Sequence, residues 1–333
     1  MRVLVLGGTA WLGSQLARAA LEHGAAVTCL ARGESGAPPP GATLVRADRT
    51  SPHAYDEVAA ATWDLVVDVA RHPGHVRTAV DALAGRVGTW VFVSSCNVYA
   101  DHSRPGADET DRLLPPLDAD VMPDMSVYGQ AKVACEQLVQ RGIGDERSLV
   151  ARAGLIGGPG DPFDRSDYWP LRFAGPADPD GAVLVPDAPD LATQLIDVRD
   201  LAAWLVDAGL RGTAGVMNAA GESRPLREHL DVAREVAGHA GALVAAEEQW
   251  LLDEGVQPWM GPRSLPLWLP DPDWRGFCAR DTTRARAAGL RTRPLAETLT
   301  ETLAWTLARD PARPRKAGLT DDEERDLLAK LTA

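Results

Sequence analysis

Residues 2–13 read RVLVLGGTAWLG, an apolar run with β-branched members that ends in a glycine-rich turn. Beyond the turn, apolar residues recur at helical spacing up to about Gly24, and a second apolar run covers 26–30. A strand, a glycine turn, a helix and another strand in this order indicate parallel strands joined by a crossover helix.

The same alternation continues along the chain. Further strands are predicted at 43–46, 65–69, 90–93 and 148–151, with helices between them. Near-continuous apolar strands are typical of a sheet that is buried on both faces. We therefore expect an α/β fold, a Rossmann-type doubly wound parallel sheet with a smaller C-terminal substrate-binding lobe.

The predicted division of the chain follows this pattern. Residues 1–165 would form the dinucleotide-binding domain, to which strands return at about 190–220, and residues 166–189 and 221–333 would form the lobe. Residues 157–189 are rich in Gly, Pro and Asp and are predicted to be a long loop region, which in compact domains is usually functional.

The amino-acid composition excludes several classes of protein and partner. The chain has 333 residues, of which 45% are hydrophobic, and a net charge of −13. This charge argues against nucleic acid or an anionic membrane as a partner. The sequence lacks an apolar run of about 18 residues, the length of a membrane span, and its four cysteines show no paired spacing. These features favour a cytoplasmic protein with reduced thiols and a small-molecule substrate.

The glycine turn predicts a dinucleotide site. Gly7, Ala10 and Gly13 stand at three-residue intervals directly after the first strand. This spacing allows a tight turn, close approach of the backbone to a pyrophosphate, and close packing of the next helix, whose N-terminus attracts the anion. The predicted cofactor-binding residues of this turn are Gly7, Thr9, Ala10, Trp11, Leu12 and Gly13.

The end of the second strand bears on which dinucleotide is bound. An acidic residue there would hold a ribose 2′-hydroxyl, whereas an arginine can hold a 2′-phosphate. Ala31 and Arg32 occupy the position, so the sequence favours NADP(H) over NAD(H), with NAD(H) kept as the alternative. Asp48 follows the third strand and is expected either to reach the adenine edge or to cap the next helix.

Tyr128 and Lys132 are candidate catalytic residues. They are four residues apart, which places them on one face of a helix. An ammonium next to a phenol favours the phenolate, which helps the phenol to act as an acid or base near neutral pH. Ser95 ends an apolar strand 33 residues before Tyr128 and would point into the ligand crevice. The alternatives are a surface Tyr–Lys pair and a serine that caps a turn.

Four segments together resemble the extended short-chain dehydrogenases/reductases of the NAD-dependent epimerase/dehydratase family. They lie in family order, at 7–13 (GGTAWLG), 94–99 (SSCNVY), 128–132 (YGQAK) and 196–202 (IDVRDLA). The resemblance implies that Ser95, Tyr128 and Lys132 form the active triad and that Lys132 also holds the cofactor ribose. It also implies a homodimer formed through two helices that flank the sheet.

Departures from the family pattern narrow the expected reaction. Related dehydratases carry Asp-Glu directly after the catalytic hydroxyl residue, whereas this chain has Cys96-Asn97, so we do not expect dehydration. Leu155 and Thr193 stand where related epimerases grip a nucleotide diphosphate with Asn and Arg. These departures point away from nucleotide sugars unless other arginines take over that role; the candidates are Arg165, Arg172 and Arg224.

The remaining candidate residues would face the substrate. They come from the turn after Ser95, from the predicted loop region and from the lobe: Cys96, Asn97, Tyr168, Trp169, Arg172 and Trp250. Most of the ten tryptophans are expected to pack the lobe, with a lid or an oligomer contact as the alternative for Trp259, Trp268 and Trp274. The Cys and His residues lack the spacing of a zinc site, so no metal is expected.

The sequence thus predicts an enzyme that transfers hydride between NADP(H) and a small polar molecule, reducing a carbonyl or oxidising an alcohol. An epimerase of a sugar derivative with tightly bound cofactor is the alternative, because it would use the same triad. A cofactor-binding protein without catalysis is a third possibility, and it predicts a degraded triad, which this sequence does not have.

Overall fold

The strands of the protein are described by a computed structural model that covers residues 1–311 and 313–332. In chain order they are β1 Arg2–Leu6, β2 Ala26–Ala31, β3 Thr43–Arg46, β4 Trp63–Asp68, β5 Val87–Ser95, β6 Ser148–Ala153, β7 Leu155–Gly157, β8 Val183–Pro186, β9 Ala192–Thr193, β10 Leu195–Asp197, β11 Gly215–Ala219, β12 Arg224–Pro225, β13 Leu243–Ala246, β14 Gln257–Pro258, β15 Gly261–Pro262, β16 Ser264–Leu265 and β17 Ala317–Gly318.

The helices alternate with the strands in the first half and dominate the second half. They are α1 Trp11–Glu22, α2 Asp56–Ala59, α3 Pro73–Leu83, α4 Tyr128–Ile143, α5 Tyr168–Ala174, α6 Val198–Leu210, α7 Leu226–Ala237, α8 Glu248–Asp253, α9 Thr283–Ala287, α10 Leu295–Leu307 and α11 Asp321–Thr332.

Seven of the strands form one parallel sheet in the order β11-β6-β5-β4-β1-β2-β3. The chain runs outward from β1 to β3 and then crosses back to β4. Strand order therefore reverses between β1 and β4, and such a switch point opens a ligand crevice at the carboxyl ends of the strands. The predicted doubly wound α/β fold is confirmed.

Apolar residues cover both faces of this sheet. One layer contains Leu16 of α1 and Leu205 of α6, packed against Val5 and Val91. The opposite layer contains residues of α3 and α4, packed against the other side of the same strands: Val76, Val80, Val139 and Ile143. Burial on both faces explains why the central strands have almost no polar alternation.

The C-terminal lobe has a core of its own. Residues of α5, α7, α10 and α11 pack there around Trp169, Trp268 and the short parallel pair β8–β13. The prediction that residues 157–189 are a loop region is therefore wrong in part, because α5 and β8 lie within it. The helix α11 begins at a capping box in which Thr320 and Glu323 exchange backbone and side-chain hydrogen bonds. Within the described residues, the helices are too short or too polar to cross a membrane.

Candidate functional site

The turn between β1 and α1 is shaped for an anion. Gly7 has φ = +100°, and a Cβ on Gly13 would lie 2.0 Å from the Gly7 carbonyl oxygen, so both positions need glycine. Ala10 is the N-cap, and its methyl group cannot satisfy the amides of the first turn. These amides and the helix dipole fit the pyrophosphate of a dinucleotide.

The other predicted residues of the turn have distinct positions. Thr9 is buried, Ala10 is exposed, and Leu12 packs partly into the core. The Trp11 indole donates to the Pro159 carbonyl oxygen at 2.9 Å, so its side chain fastens the turn to the segment after β7. A contribution of Trp11 to cofactor binding would therefore come through its main chain.

The end of β2 carries charges of both signs. Arg32 is exposed and forms an ion pair with Glu34 at 3.1 Å, while Arg46 donates to the Arg32 carbonyl oxygen at 3.4 Å. Asp48 accepts hydrogen bonds from the amide and hydroxyl of Thr50, at 2.9 and 2.8 Å. These bonds lower the pKa of Asp48. Asp48 thus closes a local turn well before α2, and the prediction that it caps that helix is wrong.

Ser95 is the last residue of β5 and lies at the carboxyl edge of the sheet. Its hydroxyl donates to Asn97 Oδ1 at 2.9 Å and accepts from the Asn97 amide at 3.2 Å. A Cβ on Gly129 would lie 2.2 Å from the Asn97 carbonyl oxygen, so the start of α4 lies directly against this turn. The structure therefore brings Ser95 and the neighbouring Tyr128 to the same edge.

Tyr128 is half-buried at the first position of α4, and Lys132 follows it one turn later. The Lys132 ammonium is buried and donates to the carbonyl oxygens of Ala70 at 2.6 Å and Val93 at 2.7 Å. It lies 5.9 Å from the centre of the Tyr128 ring. The main chain after β4 and within β5 thus fixes the cation, and two of its three protons are used.

A buried polar network connects α4 to the strands β5 and β6. The spacing of the motifs did not predict this network. Glu136 forms an ion pair with Arg152 of β6 at 2.9 Å and accepts from the Ser94 hydroxyl at 2.5 Å. Arg152 also donates to the Tyr99 hydroxyl at 3.1 Å, which donates in turn to Asn218 at 2.6 Å. A charged residue within an otherwise apolar strand, and a glutamate four residues after Lys132, were the available signals.

The predicted substrate-facing residues divide into two groups. Asn97 is half-exposed beside Ser95, whereas Cys96 is fully buried, and its thiol donates to the Arg152 carbonyl oxygen at 3.3 Å. Burial raises the pKa of Cys96 to about 12, so this thiol stays protonated at neutral pH. The geometry thus leaves Asn97 available to a substrate and gives Cys96 a packing role.

The candidates from the lobe are also structural. Trp169 is fully buried and donates to the Pro266 carbonyl oxygen at 2.8 Å, and Tyr168 packs beside it. The Arg172 side chain pairs with Asp321 and Glu324 of α11, so its charge is neutralised inside the lobe. The side chains of these three residues therefore pack and form ion pairs inside the lobe, in place of the predicted contact with the substrate. Half-buried Trp250 lies on α8 against the same core.

Aromatic residues from the distant C-terminal half form a second cluster next to Cys96. Trp274 stacks on His102 with ring centres 4.5 Å apart, and Trp259 meets Phe277 edge-on at 5.6 Å. Trp268 lies in the lobe core, so the lid role considered for it is wrong. The described part of the chain contains no cluster of three or more His, Cys, Asp or Glu residues suited to a metal ion.

Two comparisons of sequence match parts of the chain. Residues 3–85 match the model of the NAD dependent epimerase/dehydratase family. The 2′-dehydrokanamycin reductase of Streptomyces kanamyceticus is 33% identical over 161 residues. That match spans 47% of this chain and less than half of the relative, 43% of its length.

Solved structures extend the likeness to nearly the whole chain. A putative epimerase from Burkholderia cenocepacia is similar over 92% of this chain and 98% of its own, with a TM-score of 0.68 and 23% identity. The Bordetella bronchiseptica enzyme WbmG, solved with NAD and UDP, is similar over 92% of this chain and 94% of its own, with a TM-score of 0.60 and 20% identity. At these identities the likeness shows a shared fold.

Proposed function

We propose that the chain is a nicotinamide-dependent oxidoreductase, because residues 3–85 match the model of the NAD dependent epimerase/dehydratase family and the chain shares the fold of a solved putative epimerase. It would reduce a carbonyl, or oxidise an alcohol, on a small polar molecule. The observation that carries the proposal is the placement of Ser95, Tyr128 and Lys132 at one edge of the sheet, next to the reversal of strand order.

Each residue of this arrangement has a chemical task. A bound nicotinamide supplies or accepts the hydride. Tyr128 would donate a proton to the substrate oxygen during reduction and take one during oxidation. Lys132 holds a positive charge beneath the phenol, and its remaining proton can be donated to a ribose hydroxyl. Ser95 would hold the substrate oxygen by a hydrogen bond.

A reductase is preferred to an epimerase for two reasons. A curated relative that is 33% identical over 161 residues is named a reductase. In addition, Leu155 and Thr193 lack the charge that would hold a nucleotide diphosphate.

The preference for NADP(H) also belongs to the proposal. Arg32, directly after β2, and Arg46, at the end of β3, support it. The Glu34 carboxylate that pairs with Arg32 would weaken the binding of a 2′-phosphate. Replacement of Glu34 by Gln should therefore shift selectivity towards NADPH. Replacement of Arg32 by Ala should shift it towards NADH.

Cofactor turnover tests the proposed reaction. Purified protein is incubated with NADPH or NADH and a panel of ketones and keto sugars, and absorbance at the reduced nicotinamide band is followed. A reductase consumes the cofactor in proportion to the product. An enzyme that purifies with bound cofactor and converts a sugar without net absorbance change would establish epimerisation instead.

A further inference from the structure

Arg165 lies in the segment between β7 and α5 and is half-buried. Within the described residues its Nε is buried without a hydrogen-bond partner, and its guanidinium lies outside ion-pair distance of every described carboxylate. The guanidinium carbon is 5.0 Å from the centre of the Phe163 ring and 5.3 Å from that of Trp259. Two aromatic rings thus hold the cation in place without neutralising it.

Asp161 is an acidic residue of the same segment, and its carboxylate is hydrogen-bonded to the backbone. Asp161 is buried and accepts hydrogen bonds from the amides of Phe163, Arg165 and Ser166, and from the Ser166 hydroxyl. Its carboxylate therefore shapes the segment that presents Arg165, and its oxygens are occupied.

The other acidic residues of this segment face the C-terminal part of the chain. Asp164 accepts from Arg313 at 2.5 Å and from the Lys316 amide at 2.8 Å, while Asp167 pairs with Arg315 at 2.8 Å. These bonds anchor the segment on both sides of Arg165. The backbone on both sides of Arg165 is therefore held in place by these bonds.

Arg165 also lies close to the proposed reaction centre. Burial lowers the pKa of its guanidinium, and the groups that oppose this effect are, in order, Asp161, Cys278 and Tyr128. Cys278 belongs to the aromatic cluster that contains Cys96, next to Ser95. Trp259, on which Arg165 lies, contacts Phe277 of the same cluster.

A partly desolvated cation without a counter-ion is costly, and proteins normally pair such groups. We infer that Arg165 is the substrate anchor of the site and binds a carboxylate or phosphate group of the molecule that reacts at Tyr128. The inference rests on the proposed function, because it takes Tyr128 to face the substrate. A planar guanidinium can bind two oxygens of either group at once.

Anion binding by the cofactor-loaded protein tests this assignment. Full-length protein saturated with NADH is titrated with inorganic phosphate, malonate and glucose, and binding is followed by ligand-observed NMR. We expect at least one of the two anions to bind and glucose to bind more weakly. R165Q should weaken binding of that anion by at least about tenfold, since hydrogen bonds to charged groups contribute strongly. Comparison of phosphate with malonate identifies which anionic group is preferred.

Two further variants keep the test decisive. R165K retains the charge but not the fork of donors, so its anion affinity should fall between those of the wild type and R165Q. R2Q is the matched control, because Arg2 lies 4.9 Å from the Trp63 ring at the opposite end of the sheet. NADH affinity and thermal unfolding show whether each variant is folded.

Unchanged anion affinity in folded R165Q, or failure of the wild type to bind either anion, would overturn the inference. The proposed function is judged separately, by nicotinamide turnover. A protein that binds the anion through Arg165 but never transfers hydride would retain the anchor and lose the oxidoreductase assignment.

Discussion

The phenol of Tyr128 is the group on which the proposed chemistry depends. It opens α4 beside the turn that follows Ser95, and a buried ammonium lies beneath its ring. Sequence spacing predicted that Tyr128 and Lys132 share a helix face and that Ser95 ends a strand, and the structure shows both. Their catalytic roles stay a prediction. Spacing could not reveal that main-chain oxygens hold Lys132, because they come from 39 and 62 residues earlier in the chain.

Replacement of Tyr128 by Phe should abolish most turnover while leaving the cofactor site intact. We expect kcat to fall by about 100-fold or more, the range typical of a lost general acid or base. NADPH affinity, measured by fluorescence titration, should stay within error. The matched control is Tyr168→Phe, since Tyr168 lies in the lobe core, and this variant should keep its turnover. Wild-type kcat in Tyr128→Phe would remove the assigned role.

Gly13 provides a second test at the level of a single residue. A Cβ there would lie 2.0 Å from the Gly7 carbonyl oxygen, so Gly13→Ala must displace α1 or the turn. We expect weaker dinucleotide binding and a loss of about 1–3 kcal/mol in the free energy of unfolding. Gly85→Ala is the control, because a Cβ at Gly85 meets open space. Equal cofactor affinity in the two variants would show that the turn is not the pyrophosphate site.

At the level of elements, α4 carries both the proposed catalytic residues and a buried structural ion pair. Tyr128, Lys132 and Glu136 succeed one another at one-turn intervals, so one face carries the phenol, the cation and the anchor to β6. The alternation of strands and helices predicted a helix before the strand at 148–151, and α4 occupies that place. The segment 157–189 was harder to predict, because the aspartates that suggested a loop serve as acceptors that fix its turns and precede α5.

The pair Glu136–Arg152 should matter for stability. Glu136→Gln leaves a buried guanidinium without its counter-charge, so the free energy of unfolding should fall by about 3–5 kcal/mol. The exposed pair Arg77–Asp120 is the reference, and Asp120→Asn should cost about 1 kcal/mol or less. Urea denaturation measures both. Similar losses in the two variants would contradict the buried network as a support of α4.

At the level of the whole molecule, the crevice is assembled from distant parts of the chain. The doubly wound sheet was predictable, because each strand and helix carries its own periodicity. It was not predictable that Trp259, Phe277 and Cys278 pack in one cluster with Cys96. These contacts join residues more than 150 positions apart and have no local signature. The lobe therefore contributes to the site in a way that motif spacing does not reveal.

Buried histidines should make the fold sensitive to acid. Burial lowers the pKa of His229 to about 3 and that of His102 to about 4, so both take up protons on unfolding when the pH is below about 6.5. The contribution of neutral His229 to the free energy of unfolding is therefore fully present above pH 6.5. It decreases by about 1.4 kcal/mol per pH unit as the pH falls towards 3. Urea denaturation between pH 7 and pH 4 should show a smaller dependence of the free energy of unfolding on pH in His229→Gln than in the wild type. An identical dependence in the two proteins would contradict the prediction.

A crystal structure of the protein soaked with NADPH or NADH tests the central claim most directly. We predict that the pyrophosphate lies at the start of α1 and that the nicotinamide ring lies beside the Tyr128 hydroxyl, within reach of a shared substrate oxygen. A cofactor bound elsewhere, or a nicotinamide from which the Tyr128 side chain points away, would contradict the account.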